Sequence, residues 1–154
     1  MARKQKWKNG DVFLVPLLDG TYAVGQVIGK TKEALNSAVC AFFDIRLTEG
    51  AAENIEELTD DLLVALKFSS VGLLDAGEWE VVDNRTPLDT RKYIDLDQLA
   101  KNGYINVRIV GSAILSELMN AYYALSPWDA FYDPQYLDKL LISPGKKPKN
   151  IILQ

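Results

Sequence analysis

The stretch Gly10-Asp11-Val12-Phe13-Leu14-Val15-Pro16-Leu17-Leu18-Asp19-Gly20-Thr21-Tyr22-Ala23-Val24-Gly25-Gln26-Val27-Ile28-Gly29 decides the fold. Two runs rich in β-branched and aromatic residues flank Asp19-Gly20, the dipeptide that a tight hairpin favours because Gly accepts positive φ. Pro16 cannot donate to a ladder, so the first strand is expected at an edge or a bulge. Gly25, inside the second strand, predicts a bend or a close backbone approach, as at the corner of a small barrel.

Outward from this hairpin, Ala38–Leu47 reads as a third strand with Val39, Ala41, Phe43, Ile45 and Leu47 on one parity. Its first half is apolar on both faces, which places that half centrally. Residues 62–68 predict a fourth strand and 79–82 a fifth, joined through Gly72 and Gly77, with Trp79 in the core. The second half is mixed. Asp95 caps a short helix closed by Asn102-Gly103, 104–110 alternates as a strand, and Ser112 opens a helix to about Leu125. Asp133-Pro134 opens another that ends at Pro144-Gly145. The fold class is α+β: an N-terminal strongly bent antiparallel sheet or small SH3-like barrel, with C-terminal helices packed on it. The expected organisation is a basic N-terminal tail (1–9), one domain (10–145; strand-rich 10–82, helix-containing 88–145) and a basic C-terminal tail (146–154).

A chain of 154 residues buries roughly 68–70% of its unfolded surface, so the core needs no staple. It has no His and one Cys. This excludes Ser-His-Asp and Cys-His nucleophile systems, His-ligated metals, multi-Cys zinc sites and an intramolecular disulfide. Cys40, inside an apolar run, fits a reducing compartment as a small buried hydrophobe. No apolar run follows the basic N-terminus or reaches membrane-spanning length, so a cytoplasmic location is expected. The glycines form neither a phosphate loop nor a dinucleotide fingerprint, and no cofactor, metal or catalytic residue is assigned.

The net charge of −4 conceals segregation. Residues 1–9 carry four bases and no acid and 146–149 carry three, leaving 10 bases against all 21 acids in the body. Such a body repels nucleic acid and attracts basic surfaces; the basic ends are expected as solvated tails. Within it, Asp44, Glu49, Glu53, Glu56, Glu57, Asp60 and Asp61 put seven carboxylates in 18 residues against one base, Arg46. Residues 51–58 within that run suit a short helix. The run reads either as a solvated loop or as a docking surface for a basic partner; its spacing matches no EF-hand. The segment containing Trp128, Asp129 and Tyr132 is an aromatic–acidic cluster, read either as core or as partner contacts.

Gly10-Asp11-Val12-Phe13-Leu14-Val15-Pro16-Leu17, then Gly20-x-Tyr22-Ala23-x-Gly25-Gln26-Val27, then Gly77-x-Trp79-x-Val81, resembles the immunity protein 26 family of bacterial polymorphic and contact-dependent toxin systems. The resemblance, over residues 10–82, implies a non-catalytic cytosolic inhibitor that binds a cognate toxin domain, with no nucleic-acid or membrane partner. Alternatives from other classes are an SH3-like adaptor without a toxin partner and a small carboxylate-based hydrolase. The partner-binding candidates are Asp44, Glu49, Glu53, Glu56, Glu57, Asp60, Asp61, Trp128, Asp129 and Tyr132.

Overall fold

The computed structural model describes residues 4–31 and 36–154; Met1–Arg3 of the basic N-terminal stretch lie outside them. Six strands, β1 (Asp11–Pro16), β2 (Tyr22–Lys30), β3 (Ser37–Leu47), β4 (Leu63–Ser70), β5 (Glu80–Asn84) and β6 (Ile109–Val110), form one sheet in the order β5-β1-β2-β3-β4-β6. Neighbours are antiparallel except β4 and β6, which run parallel. Among the described residues four α-helices follow: α1 (Gly72–Ala76), α2 (Leu96–Lys101), α3 (Ser112–Tyr122) and α4 (Tyr136–Leu140). The class is α+β, as the sequence predicts, but the sheet is open and no small barrel closes.

The reason lies in the strand pattern. A barrel has one interior, whereas β3 buries both parities. Val39, Ala41, Phe43, Ile45 and Leu47 join one apolar cluster, with Ile55, Leu63 and Leu66. Ala38, Cys40 and Phe42 join the other, with Trp79, Leu115, Leu118, Trp128 and Leu137. Helices α1, α3 and α4 cover this second face, and the segments 48–62 and 86–108 cover the first. Each edge is closed off separately. Gln5 grips β5, its amide donating to the Leu74 and Trp79 carbonyls while its oxygen accepts from Val81 N–H at 2.9 Å. On the other side, where β6 leaves the start of β4 unpaired, Ile142 N–H donates to Val64 O at 2.8 Å.

The β1–β2 hairpin forms with a longer loop than the Asp19-Gly20 reading implies. Gly20 N–H bonds Leu17 O, Leu17 N–H bonds Thr21 O, and Gly20 takes the left-handed φ of +85° after the turn. Pro16 does not mark an edge strand. It is the last residue of a central strand, past the Asp11–Leu14 span that β5 pairs, so its missing N–H costs no ladder bond there. Gly25 makes the expected close approach: it lies opposite Phe13 on one side and Phe42 on the other. The Phe13 ring crosses over it to stack on Trp79 at 4.9 Å.

Several local readings need correction. The acidic segment forms only two single turns, Ala52–Asn54 and Asp60–Leu62, rather than a helix over 51–58, because Ile55 is drawn inward to 6% exposure. The alternating 104–110 run yields a strand only at Ile109–Val110: Tyr104 and Asn106 adopt φ of 58° and 66°, which no strand permits. Helix α3 stops at Tyr122, where Ala124 turns left-handed and Leu125 N–H closes back on Asn120 O at 2.9 Å; no Gly signals this stop. Its N-cap is Gly111 rather than Ser112, and Ser112 N–H, in the first turn, donates to Ser70 Oγ at 2.8 Å. Before α4, Asp133 accepts from Gln135 N–H; the helix begins two residues later than Pro134 suggests and ends at Leu140, short of Pro144. The Asp95 cap is as read, accepting from Gln98 N–H at 3.1 Å.

Among the described residues, parts of both basic ends are docked on the fold, while Lys4, Lys6, Lys8 and Lys149 remain exposed. Gln5 is held as above, Trp7 Nε1 donates to Asp75 at 2.9 Å, and Trp128 N–H bonds Ile152 O at 2.7 Å.

Candidate partner-binding site

The acidic run leaves the end of β3 at Leu47 and crosses the sheet face opposite α1, α3 and α4. Apolar anchors hold it there: Ile55 is buried in that cluster and Leu58 and Leu62 pack against it. Cations then fix its backbone rather than its carboxylates. Arg85 donates to Glu56 O at 2.9 Å and Ile55 O at 3.0 Å, while its Nε pairs with Asp83 at 2.8 Å. Lys146 Nζ donates to Asp61 O. A guanidinium donating to two successive carbonyls fixes a loop without neutralising its acids.

The acids divide accordingly. Glu49, Glu53, Glu56, Glu57 and Asp61 are exposed, and none enters an ion pair among the described residues. Asp60 is different: Lys92 and Tyr93 Oη donate to it at 2.9 and 2.8 Å, and these hydrogen bonds hold its carboxyl below the usual range.

The remaining candidates lie apart from this loop. Asp44 points toward α3 and accepts from Tyr123 Oη at 3.0 Å. Beside it, Arg46 lies over the Tyr123 ring at 5.2 Å and pairs with Asp19. Burial and the negative charge of Asp44 push the Tyr122 phenol up to about 12, and Tyr123 higher still. Trp128 is 1% exposed and gives its Nε1–H to Asp138 at 2.6 Å. It is core, with no surface to offer a partner. Asp129 accepts from Gln154 N–H, whereas Tyr132 is fully exposed. The structure therefore gathers the loop acids, sets Asp44 on the helix side, and leaves Tyr132 alone of the aromatic candidates at the surface.

The sequence reading missed the groups that position this loop. Gln26, 0% exposed, donates to the carbonyls of Gly10, Arg85 and Thr86 and accepts from Leu88 N–H at 3.1 Å. It thereby fixes the segment carrying Arg85. The available signal was a lone amide between Val24 and Val27 in an apolar strand. Arg85 itself carried none, because its partners are backbone carbonyls 29 and 30 positions away.

Among the described residues no group of three or more His, Cys, Asp or Glu is arranged to hold a metal ion, and no helix is long and apolar enough to cross a membrane. The sheet and its loop define a small α+β protein that presents a backbone-anchored, carboxylate-rich surface. Residues 8–104 match the family model described as Immunity protein 26, and the chain belongs to that family of immunity proteins. No curated protein and no solved structure matches it.

Proposed function

We propose that the protein neutralises a cognate toxin domain in the cytosol by binding it without catalysis, through the loop acids Glu49, Glu53, Glu56, Glu57 and Asp61. Asp44, Asp60, Asp129 and Tyr132 lie at or beyond the margin of that surface. The observation that carries this reading is the division of labour in the loop. Its backbone is fixed by Ile55, Arg85 and Lys146, so its unpaired carboxylates are presented without a large ordering cost on binding. Like charges held close repel one another, and a basic surface relieves that repulsion on docking. A toxin domain that attacks nucleic acid carries such a surface, and the acidic loop then occupies the place of the phosphate backbone.

The test is the association rate with the toxin domain encoded beside this gene, measured by stopped flow at low and moderate salt. Changing Glu49, Glu53, Glu56 and Glu57 to Gln and Asp61 to Asn should cut the rate at least ~10-fold at low salt and flatten its salt dependence. An unchanged rate rules out this loop as the docking site. Absence of any complex with the wild-type protein rules out the toxin reading itself.

A further inference from the structure

On the helix side of the sheet, away from the acidic loop, residues 4–8 form an extended strap whose side chains alternate. Gln5 and Trp7 turn inward and are half-buried; Lys4, Lys6 and Lys8 are exposed. The strap is fastened along its length: Gln5 to Leu74, Trp79 and Val81, Trp7 to Asp75, and Asn9 Oδ1 to Lys30 N–H at 3.0 Å. At two residues per repeat the outward lysines recur every ~6.6 Å. Lys30, at the end of β2, brings a fourth ammonium to 5.4 Å from the Trp7 ring centroid.

None of these four lysines enters an ion pair among the described residues. Lys4, Lys6 and Lys30 line a cleft of about 500 Å³ whose walls include Trp7, Ser37 and Val71. Its one lining carboxylate among the described residues, Asp75, is engaged by the Trp7 indole N–H. A cleft of that size suits a small ligand, and three lysines against the one Asp75 carboxylate leave its described lining net basic, which favours an anion. The acidic loop does not cancel this field. It packs on the other face of the sheet, whereas Trp7 packs against the helix-side cluster, and exposed charges beyond about 8–10 Å are screened.

We propose that this cleft binds a polyphosphate group, with Lys4, Lys6 and Lys30 holding the phosphate oxygens. No glycine-rich loop is involved. The donors are side-chain ammonium groups, so the absence of a phosphate-loop motif does not bear on it. The site stands independently of the toxin-binding reading.

Trp7 supplies the assay, since Trp79 and Trp128 are 0% and 1% exposed and leave it the one accessible indole. The purified full chain is titrated with ATP, inorganic triphosphate, AMP and adenosine while indole emission and its quenching by acrylamide are followed. Saturable protection by ATP and by inorganic triphosphate, at least ~10-fold tighter than by AMP, is expected, with no response to adenosine. Equal affinity for the two triphosphates identifies the polyphosphate alone as ligand; tighter ATP binding adds a contact of the base with the Trp7–Val71 wall. Lys6→Gln with Lys30→Gln, both at the surface, should weaken binding at least ~10-fold while leaving circular dichroism and melting unchanged. No saturable response, equal binding of AMP and triphosphate, or unaltered affinity in that variant each overturns the proposal.

Discussion

Gly25→Ala tests the packing on which the sheet is organised. Gly25 lies between Phe13 and Phe42 on the neighbouring strands. A Cβ there would stand 2.4 Å from Phe13 Cζ and 3.1 Å from the Ala41 carbonyl oxygen. The ring cannot swing aside, because Phe13, Phe42 and Trp79 are all 0% exposed. It is also stacked on Trp79 at 4.9 Å and 8° and set edge-on to Phe42 at 5.9 Å. Overpacking of this kind costs about 1–3 kcal/mol, and disturbing the aromatic geometry about 0.5–1.5 kcal/mol more. Against this, Ala restricts the unfolded chain and returns about 0.4–1 kcal/mol. The net expectation is a loss of about 2 kcal/mol, which lowers the urea midpoint by about 1 M for a slope near 2 kcal/mol/M. Equilibrium unfolding followed by far-ultraviolet circular dichroism measures it. Phe13→Leu in the Gly25→Ala background should cost less than Phe13→Leu alone, with a coupling of about 1 kcal/mol. A Gly25→Ala variant within about 0.5 kcal/mol of wild type, or an additive cycle, refutes the claim that this glycine is there to make room for the Phe13 ring.

Three other outcomes follow from the structure. Gln26→Leu removes an acceptor for Leu88 N–H and a donor for three carbonyls; a loss of about 1–3 kcal/mol is expected, with faster amide exchange across 85–88. Cys40 is fully buried and burial pushes its thiol up to about 12, so it should resist thiol reagents in the native state at pH 8 and react at the rate of unfolding; rapid labelling of folded protein would contradict the packing of β3. Asp60 is held below the ordinary carboxylate range by hydrogen bonds from Lys92 and Tyr93, so its contribution is full above the unfolded value of about 3.9 and is lost as pH falls through its lower folded value. Carboxyl carbon shifts in an NMR titration should show Asp60 protonating below its unfolded value, a depression that Tyr93→Phe with Lys92→Gln removes.

The legible parts of this chain are those in which one local rule acts alone. Alternation and the both-sided apolar start of Ala38–Leu47 placed β3 centrally. Asp19-Gly20 placed the hairpin, Gly25 the close approach, and Asp95 a helix start. Where local rules competed with tertiary contacts, the contacts won. Alternation at 104–110 yielded to a backbone that coils at Tyr104 and Asn106. The acidic helix yielded to the burial of Ile55, and Trp128, chemically suited to an interface, was taken into the core with Asp138 as its partner.

The candidate site divides in the same way. The amino-acid sequence alone established the segregation of charge, and its composition removed the histidine- and cysteine-based chemistries, because residue order settles the first and residue types the second. Whether a carboxylate is available or spent is a property of three-dimensional neighbours. Asp60 faces Lys92 and Asp44 faces Tyr123, while the four glutamates between them and Asp61 enter no ion pair among the described residues. Likewise, the strand pattern called for a bent sheet or a barrel, and only the tertiary structure chose the open sheet. Two separate sets of segments were available to bury the two faces of β3, and once both were buried there was no single interior for a barrel to enclose.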